Sequence, residues 1–148
     1  MKNQKSIDIY LAYSGLIPFL FFTICLLFNY KYTLIFGNTI QALSTYGLII
    51  ASFLAGTHWG KQINIEPSIT KSFLQISSNI NVIAIWFAYL NLNSKYFILL
   101  LIIEFLVLLK IDHYIYILKI ISSRYFLYIR LPITVAVVIL LLISWSLI

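Results

Sequence analysis

The sequence predicts an all-α membrane protein, a single domain built as a bundle of five transmembrane helices. Hydrophobic residues make up 62% of the 148 residues and charged residues only 9%, whereas a soluble domain carries about a quarter charged residues. The apolar residues fall into five runs, each near the ~20 residues that cross a bilayer as a helix. We place the five helices at residues 7–28, 40–60, 72–92, 96–118 and 129–148.

The first apolar run is predicted to be a transmembrane helix that is retained. It is longer than the apolar part of a signal peptide, and no small-x-small cleavage site follows it. Gly15 and Pro18 lie inside it. Because proline has no N–H and its ring crowds the preceding turn, we expect a loosened or kinked helix here unless a neighbouring helix bonds the freed carbonyl.

The second helix is distinguished by small residues on two of its faces. The rows follow from the helical rotation of ~100° per residue. One row consists of Gly47, Ala51, Ala55 and His58, and the nearly opposite row consists of Ser52, Gly56 and Gly60. Small residues let two membrane helices approach closely. We therefore expect neighbours on both faces, which would place this helix at the centre of the bundle.

The other three helices differ in polarity. The third is the least apolar, because its first half carries Gln75 and Asn79. This indicates burial against protein, a wet cavity or a start among lipid headgroups, of which the last is favoured. The fourth helix contains Glu104 near its middle. The fifth begins near Ile129, where Pro132 suits a first helical turn.

The basic residues predict the orientation of the bundle. With five crossings, the N-terminus and the second and fourth connectors share one side of the membrane. That side holds Lys2, Lys5, Lys61, Lys71, Lys110, Lys119, Arg124 and Arg130, and the other holds only Lys31 and Lys95. Because basic residues stay on the cytoplasmic side, we expect a cytoplasmic (or organelle-matrix) N-terminus and a C-terminus on the far side.

Several polar residues should converge at this basic end, where the second and fourth helices end and the fifth begins. They are His58, Trp59, Lys61, Lys110, Asp112, His113, Tyr128 and Arg130. His58 lies on a small-residue row and should point into the bundle, as a structural hydrogen-bonding group, which is favoured, or as a proton-handling group or cofactor ligand. A haem would also need His113 at the same depth and is not expected. Trp59 is typical of an interfacial aromatic residue.

Glu104 has two interpretations, and so does Arg130, which lies near Asp112. Glu104 lies about eight residues, or ~12 Å of helix, before Asp112. Near the middle of the hydrocarbon, it is either functional or a neutral hydrogen-bonding group between helices. Asp112 and Arg130 lie at the membrane edge on adjacent helices, where a salt bridge between them would position both. Arg130 can instead extend to a lipid phosphate.

The sequence indicates no cofactor, metal or nucleic-acid site. Its net charge of +6 comes from basic residues scattered singly, which is typical of membrane orientation and not of a phosphate-binding patch. The single cysteine, Cys25, lies in an apolar run. No Walker loop, CxxC, HExxH or serine-nucleophile motif occurs. The expected partners are the lipid bilayer and other inner-membrane proteins or a second copy of the chain.

The second helix resembles a family signature. Tyr46-Gly47 and then Ser52-Phe53-Leu54-Ala55-Gly56-Thr57-His58-Trp59-Gly60 are similar to the run that marks the transmembrane protein 69 family, also grouped as domain of unknown function 3429 (DUF3429). Further similar pieces are Gly15-Leu16-Ile17-Pro18, Tyr128-Ile129-Arg130-Leu131 with Thr134, and Asp112. Ala55 stands where glycine is common, and Pro132 falls inside the C-terminal motif. The resemblance implies a small multi-helix protein of bacterial or mitochondrial inner membranes and supplies no activity.

Three functions remain open. The favoured one is a non-enzymatic structural or assembly component of an inner-membrane complex, given the short loops and small-residue faces. The second is a carrier or channel component for protons or a small solute, using Glu104 and His58. The third is a membrane enzyme or redox protein that acts on a lipid-soluble substrate through His58, Asp112 and Arg130.

Overall fold

The computed structural model describes the backbone of residues 2–148 and the side chains of this range other than those of residues 2–6 and Asp8. Lys2 and Lys5, used above to predict the orientation, therefore lie outside the described side chains. The prediction of a bundle of apolar helices is confirmed. The helices are α1 (Lys2–Ser14), α2 (Leu16–Leu27), α3 (Thr39–Lys61), α4 (Ile69–Asn91), α5 (Ser94–Ile117), α6 (Ser123–Tyr125) and α7 (Leu131–Ser146).

The first apolar run forms two helices, α1 and α2, that meet at Gly15. Pro18 has no N–H to give to the carbonyl of Ser14, so the regular hydrogen-bond ladder cannot continue through this point. The Tyr46 hydroxyl of α3 donates to the carbonyl of Gly15 across 3.0 Å. Pro18 thus interrupts the first helix, and a neighbouring helix supplies a hydrogen bond at the interruption.

A short hairpin joins α2 to α3. Strand β1 (Tyr32–Thr33) pairs antiparallel with strand β2 (Gly37–Asn38). Gly37 takes a φ of 68°, a conformation that favours glycine. The Asn38 side chain then caps α3 by accepting from the N–H of Gln41 at 3.0 Å. The turn and the cap together define where α3 begins.

Helices α3 and α4 are antiparallel neighbours. Near one end, the side-chain nitrogen of Gln75 donates to the side-chain oxygen of Gln62 at 3.1 Å. Toward the other end, the hydroxyls of Thr45 and Tyr89 lie 2.8 Å apart. The two bonds pair early residues of one helix with late residues of the other. The three-residue 3₁₀ turn that follows α3, Gln62–Asn64, begins the connection between them.

The last apolar segment begins earlier than the sequence predicts. It is helical from Ser123 to Ser146, whereas the prediction starts near Ile129. Ser122 provides the start, since its side-chain oxygen accepts from the N–H of Tyr125 at 3.2 Å. The short helix α6 therefore belongs to the same helical segment as α7, and the connector before this segment is shorter than the sequence predicts.

A π-helical turn, Phe126–Arg130, joins α6 to α7. Pro132 follows it inside the helix and has no N–H for the carbonyl of Tyr128. The Tyr13 hydroxyl of α1 donates to this carbonyl across 3.0 Å. A neighbouring helix again satisfies the group that proline leaves free. The turn ends at Arg130, and π turns often occur at functional sites.

Within the described residues, four helical segments are long and apolar enough to cross a membrane. They are Ile9–Leu27, Thr39–Asn64, Ile69–Asn91 and Ser123–Ser146. Helix α5 is of similar length but carries Glu104 near its middle and Lys110 and Asp112 nearer its end. Large hydrophobic side chains are exposed along all the long helices, which suits contact with lipid. The fold is therefore compatible with a multi-pass membrane protein.

The core lies where α5 packs against α3, α4 and α7. Phe97, Leu101, Phe105 and Leu108 of α5 are fully or almost fully buried. Helix α3 also has three neighbours, α2, α4 and α5. The small-residue row that ends at Gly60 borders α4, but Gly56 and Gly60 are exposed and no helix of the described chain packs directly onto them. The expectation of neighbours on both small-residue faces is met on one face only.

Candidate functional site

The close approach of α3 and α5 brings side chains at the end of α3 within reach of α5. A Cβ atom at Gly47 would lie 2.6 Å from a methyl carbon of Leu101, which is itself fully buried. Farther along the same row of α3, Ala51 and Ala55 are fully buried too. Only small residues allow two membrane helices to lie this close. The row therefore sets the distance between α3 and α5 up to the end of α3.

Asp112 on α5 is the centre of a buried ionic cluster. Its Oδ1 accepts from Nε2 of His58 at 3.0 Å and from Nζ of Lys61 at 3.4 Å, both on α3. Its Oδ2 accepts from Nε of Arg130, whose Nη2 also contacts this oxygen. Asp112 and His58 are fully buried, and Arg130 is 5% exposed. We call these four residues the Asp112 cluster.

The hydrogen bond to Asp112 determines which nitrogen of His58 carries a proton. An ionised carboxylate only accepts hydrogen bonds, so Nε2 must be the protonated nitrogen. The other nitrogen, Nδ1, is buried and has no hydrogen-bond partner among the described residues. In this geometry His58 acts as a donor that links α3 to α5, with no exposed surface of its own.

Positive charge exceeds negative charge in the Asp112 cluster. One carboxylate faces both the guanidinium of Arg130 and the ammonium of Lys61. The side chain of Lys61 is 21% exposed, and its Nζ lies 5.2 Å from the centre of the Tyr125 ring. The ring face stabilises the ammonium but cancels no charge. The cluster therefore carries at least one net positive charge.

Local backbone structure places the cationic groups around Asp112. His58 and Lys61 lie in the last turn of α3, where the helix dipole favours positive charge. Arg130 is the last residue of the π turn before α7. The ends of two helices thus direct their cationic groups toward one carboxylate on a third helix. The arrangement can hold α3, α5 and α7 together and present positive charge beside them.

Glu104 is buried but lies outside the Asp112 cluster. It is 8% exposed, and its Oε1 has no hydrogen-bond partner within the described chain. Its position on α5 is ~12 Å along the helix from Asp112. Among the described cavities, none is lined by Glu104 or by His58. The structure therefore does not bring Glu104 and His58 together.

The other residues singled out from the sequence lie at or near the surface. Trp59 is 47% exposed and Tyr128 is 68% exposed, as aromatic residues at a membrane interface commonly are. On the second small-residue row of α3, Ser52 is half-buried, whereas Gly56 and Gly60 are exposed. A Cβ atom at either glycine would meet nothing within 4 Å.

The sequence places Lys61 at this end without pairing it with Asp112, and it does not single out Gln62, but both residues contribute to the site. Lys61 is three positions after His58 and so lies on the same helical face. This spacing could have predicted that Lys61 also reaches Asp112. Gln62 is 4% exposed and accepts from Gln75, which joins the end of α3 to α4. Gln75 lies in the polar first half of α4, the third helix of the sequence prediction, and this bond packs it against protein.

An apolar cavity opens beside the Asp112 cluster. It has a volume of about 430 Å³ and lies between α1, α2, α3, α5 and the segment from α6 to α7. Its polar lining residues are Thr57, Tyr125, Arg130 and Thr134. The rest of the lining is apolar except for Gly15. Arg130 thus belongs both to the ionic cluster and to the wall of this cavity.

The described residues offer ionic and hydrogen-bonding groups in place of metal ligands. Within them, no group of three or more His, Cys, Asp or Glu side chains could hold a metal ion. His113 is exposed on α5, and its ring centre lies 5.5 Å from that of Phe126. Cys25 is a half-buried free thiol in α2.

Comparison with known proteins assigns the chain to a family. A search of curated proteins and a search of solved structures each find no match. The family described as "Protein of unknown function (DUF3429)" matches residues 4–146. This range includes every residue of the Asp112 cluster. The chain therefore belongs to the DUF3429 family.

Proposed function

We propose that this protein is a non-enzymatic structural or assembly component of a membrane complex, in the bacterial inner membrane or, in a eukaryote, the mitochondrial inner membrane. The observation that carries the proposal is the uncovered face of α3, where Gly56 and Gly60 meet open space. Glycine on a membrane helix lets the backbone of another helix approach closely. A partner helix would use this face as α5 uses the face of Gly47.

The groove beside this face supports a protein partner. It is a cavity of about 190 Å³ lined by Gly56, Trp59, Ser78, Asn79 and Val82. The side-chain nitrogen of Asn79 donates to the carbonyl of Gln75 at 2.8 Å, and Asn79 is exposed. Its side-chain oxygen can accept a hydrogen bond from another helix. Polar side chains join membrane helices in this way, whereas exposure to lipid is costly.

We further propose that α5 is a fifth transmembrane helix. Gly47 contacts Leu101 and, farther along, His58 contacts Asp112. These contacts occur in the same order on both helices, so α5 runs parallel to α3 through the bundle. Glu104 and Asp112 are buried, so both carboxylates are shielded from lipid. A chain with these five helices crosses the membrane five times.

The proposed orientation has a cytoplasmic N-terminus and a C-terminus on the far side. The excess of basic residues near the Asp112 cluster supports it, since Lys31 and Lys95 belong to the opposite end. The test replaces Cys25 with serine and adds one cysteine, at Ile35 or at Glu66, both of which are exposed. An impermeant thiol reagent should label Ile35→Cys in intact cells and Glu66→Cys only after lysis. The reverse pattern would overturn the orientation.

We also propose the finer assignment to the transmembrane protein 69 family. Residues from separate parts of the resemblance contact one another. Tyr46 donates to Gly15, and His58 and Arg130 meet at Asp112. A family whose members share this packing needs these residue types at the contacting positions, and their presence together in this chain supports the assignment.

Crosslinking and mass spectrometry in native membranes test the assembly function. The wild-type chain should crosslink to a defined partner, either another membrane protein or a second copy. Gly56→Leu should abolish this crosslink while the chain still inserts. The matched control is Ala84→Leu, at an exposed position of α4 outside the groove, which should keep the partner. A wild-type chain without a partner, or a Gly56→Leu chain that retains it, would contradict the proposal.

A carrier or channel component for protons or a small solute is the second candidate. The buried Glu104, whose Oε1 has no partner in the described chain, favours it. Glu104 and His58 line no common described cavity, which makes this the weaker candidate. A flux in proteoliposomes that Glu104→Gln abolishes would support transport. The absence of flux from the inserted wild-type chain would contradict it.

A further inference from the structure

We propose that the cavity beside Arg130 binds an anionic phospholipid, with an acyl chain in the cavity and the phosphate at the Asp112 cluster. The proposal rests on the membrane location proposed above. It does not depend on the partner surface at Gly56, which lines a different cavity. Two independent features of the structure carry it, the charge balance of the cluster and the lining of the cavity.

The charge balance calls for an anion. The Asp112 carboxylate is shared by Arg130 and Lys61, so one positive charge has no counter-charge within the cluster. A charge taken out of water is costly unless it is paired. The guanidinium has five N–H donors, and Nε and Nη2 are the nitrogens that face Asp112. Its Nη1 can therefore donate to a phosphate oxygen, a charge-assisted bond.

The lining of the cavity selects a lipid as the source of that phosphate. Its volume of about 430 Å³ falls within the range of small-molecule sites. Its apolar walls come mainly from Leu11, Phe19, Ile50, Phe53, Phe105 and Val137. Leu11 and Phe53 are 66% and 68% exposed, so the cavity is accessible from the side of the bundle, where an acyl chain can enter. A free phosphate would leave this apolar volume unfilled.

Native mass spectrometry of the full chain released from nanodiscs tests the proposal. The nanodiscs contain equal amounts of phosphatidylglycerol and phosphatidylcholine with identical acyl chains. We expect the wild-type chain to retain phosphatidylglycerol about tenfold over phosphatidylcholine, because both lipids carry the phosphate but the choline group of phosphatidylcholine adds a positive charge that the net-positive cluster repels. Equal retention of the two lipids would overturn the proposal.

A matched pair of variants locates the lipid. Ala12→Leu narrows the cavity beside Arg130, and Ala42→Leu narrows a separate apolar cavity of about 790 Å³ that no basic residue lines. Both alanines are half-buried. Ala12→Leu should lower phosphatidylglycerol retention at least about fivefold, and Ala42→Leu should leave it unchanged. Equal effects of the two variants, or no effect of Ala12→Leu, would overturn the location.

A charge variant keeps the proposal testable if the cavity variant does not fold. Lys61→Gln removes one positive charge from a partly exposed side chain and leaves the cavity walls intact. It should lower retention of phosphatidylglycerol several-fold and leave phosphatidylcholine unchanged. Millimolar inorganic phosphate should not displace the lipid, and displacement would overturn the lipid as the occupant. Gly56→Leu should retain the lipid normally, so failure of the partner proposal would be recognised separately.

Discussion

Asp112 and Glu104 are two buried carboxylates on one helix, and their surroundings differ. Asp112 accepts hydrogen bonds from His58, Lys61 and Arg130. Glu104 has an oxygen with no hydrogen-bond partner in the described chain. The difference follows from position along α5. Asp112 lies level with the end of α3 and with the π turn, where cationic side chains are available, whereas Glu104 lies farther into the apolar core.

The comparison shows that burial alone does not assign a role to an acidic residue. Removing one member of a buried ion pair leaves an uncompensated charge, so paired charges become essential to the packing around them. Asp112 is such a residue, because it joins α3 to the segment before α7. Among the described residues, no hydrogen bond to Oε1 of Glu104 links α5 to another helix. Substitutions at the two sites should therefore have very different effects.

Asp112→Asn should have the largest effect on stability. It leaves Arg130 and Lys61 buried or partly buried without their carboxylate, a change that costs about 3–5 kcal/mol in buried pairs. The measurement is the free energy of unfolding of the purified chain in bicelles. A loss below about 1 kcal/mol would remove the distinction between Asp112 and Glu104.

His58→Leu should have the next largest effect. It removes one hydrogen-bond donor to the buried Asp112 carboxylate, and hydrogen bonds to charged groups contribute about 1.5–3 kcal/mol. The same unfolding measurement applies. Trp59→Leu is the control, because Trp59 is adjacent but 47% exposed and should change stability by less than about 0.5 kcal/mol. Equal losses in the two variants would contradict the assignment.

Gly47→Val tests the helix spacing that lets His58 reach Asp112. The new side chain would collide with buried Leu101, and overpacking of this kind costs about 1–3 kcal/mol. Gly56→Val meets open space and should cost clearly less in the isolated chain. Similar unfolding free energies for the two valine variants would show that the covered row does not set the spacing.

Glu104→Gln should have the smallest effect. The substitution keeps the size of the side chain and breaks no described hydrogen bond to Oε1, so we expect a change within about 1 kcal/mol. The unfolding measurement used for Asp112→Asn gives a direct comparison. A loss as large as that of Asp112→Asn would mean that Glu104 has an equally important partner.

Most helix positions follow from the sequence because hydrophobic length is a local property. The interruption at Gly15 is also local, since Pro18 removes a donor from the ladder. The start of the last helix at Ser123 is not predicted. Pro132 suits a first helical turn equally well, and the π turn depends on tertiary contacts such as the bond from Tyr13.

The site is predictable in part for similar reasons. The proximity of Asp112 and Arg130 follows from a short connection between two helices, and His58 lies on a recognisable row of small residues. Lys61 is predicted at this end, but its bond to Asp112 is missed because a basic residue at a helix end also predicts membrane orientation. The pairing of Glu104 with His58 is not seen, because a sequence gives the depth of each residue but not which helix faces meet.

A double-mutant cycle between His58 and Asp112 tests the central claim most directly. The claim is that Asp112 holds α3 against α5 through His58. With His58→Ala, Asp112→Ala and the double variant, unfolding in bicelles should give a coupling energy of about 0.5–3 kcal/mol. A coupling energy near zero, equal to that of a cycle between Trp59 and Asp112, would contradict the claim.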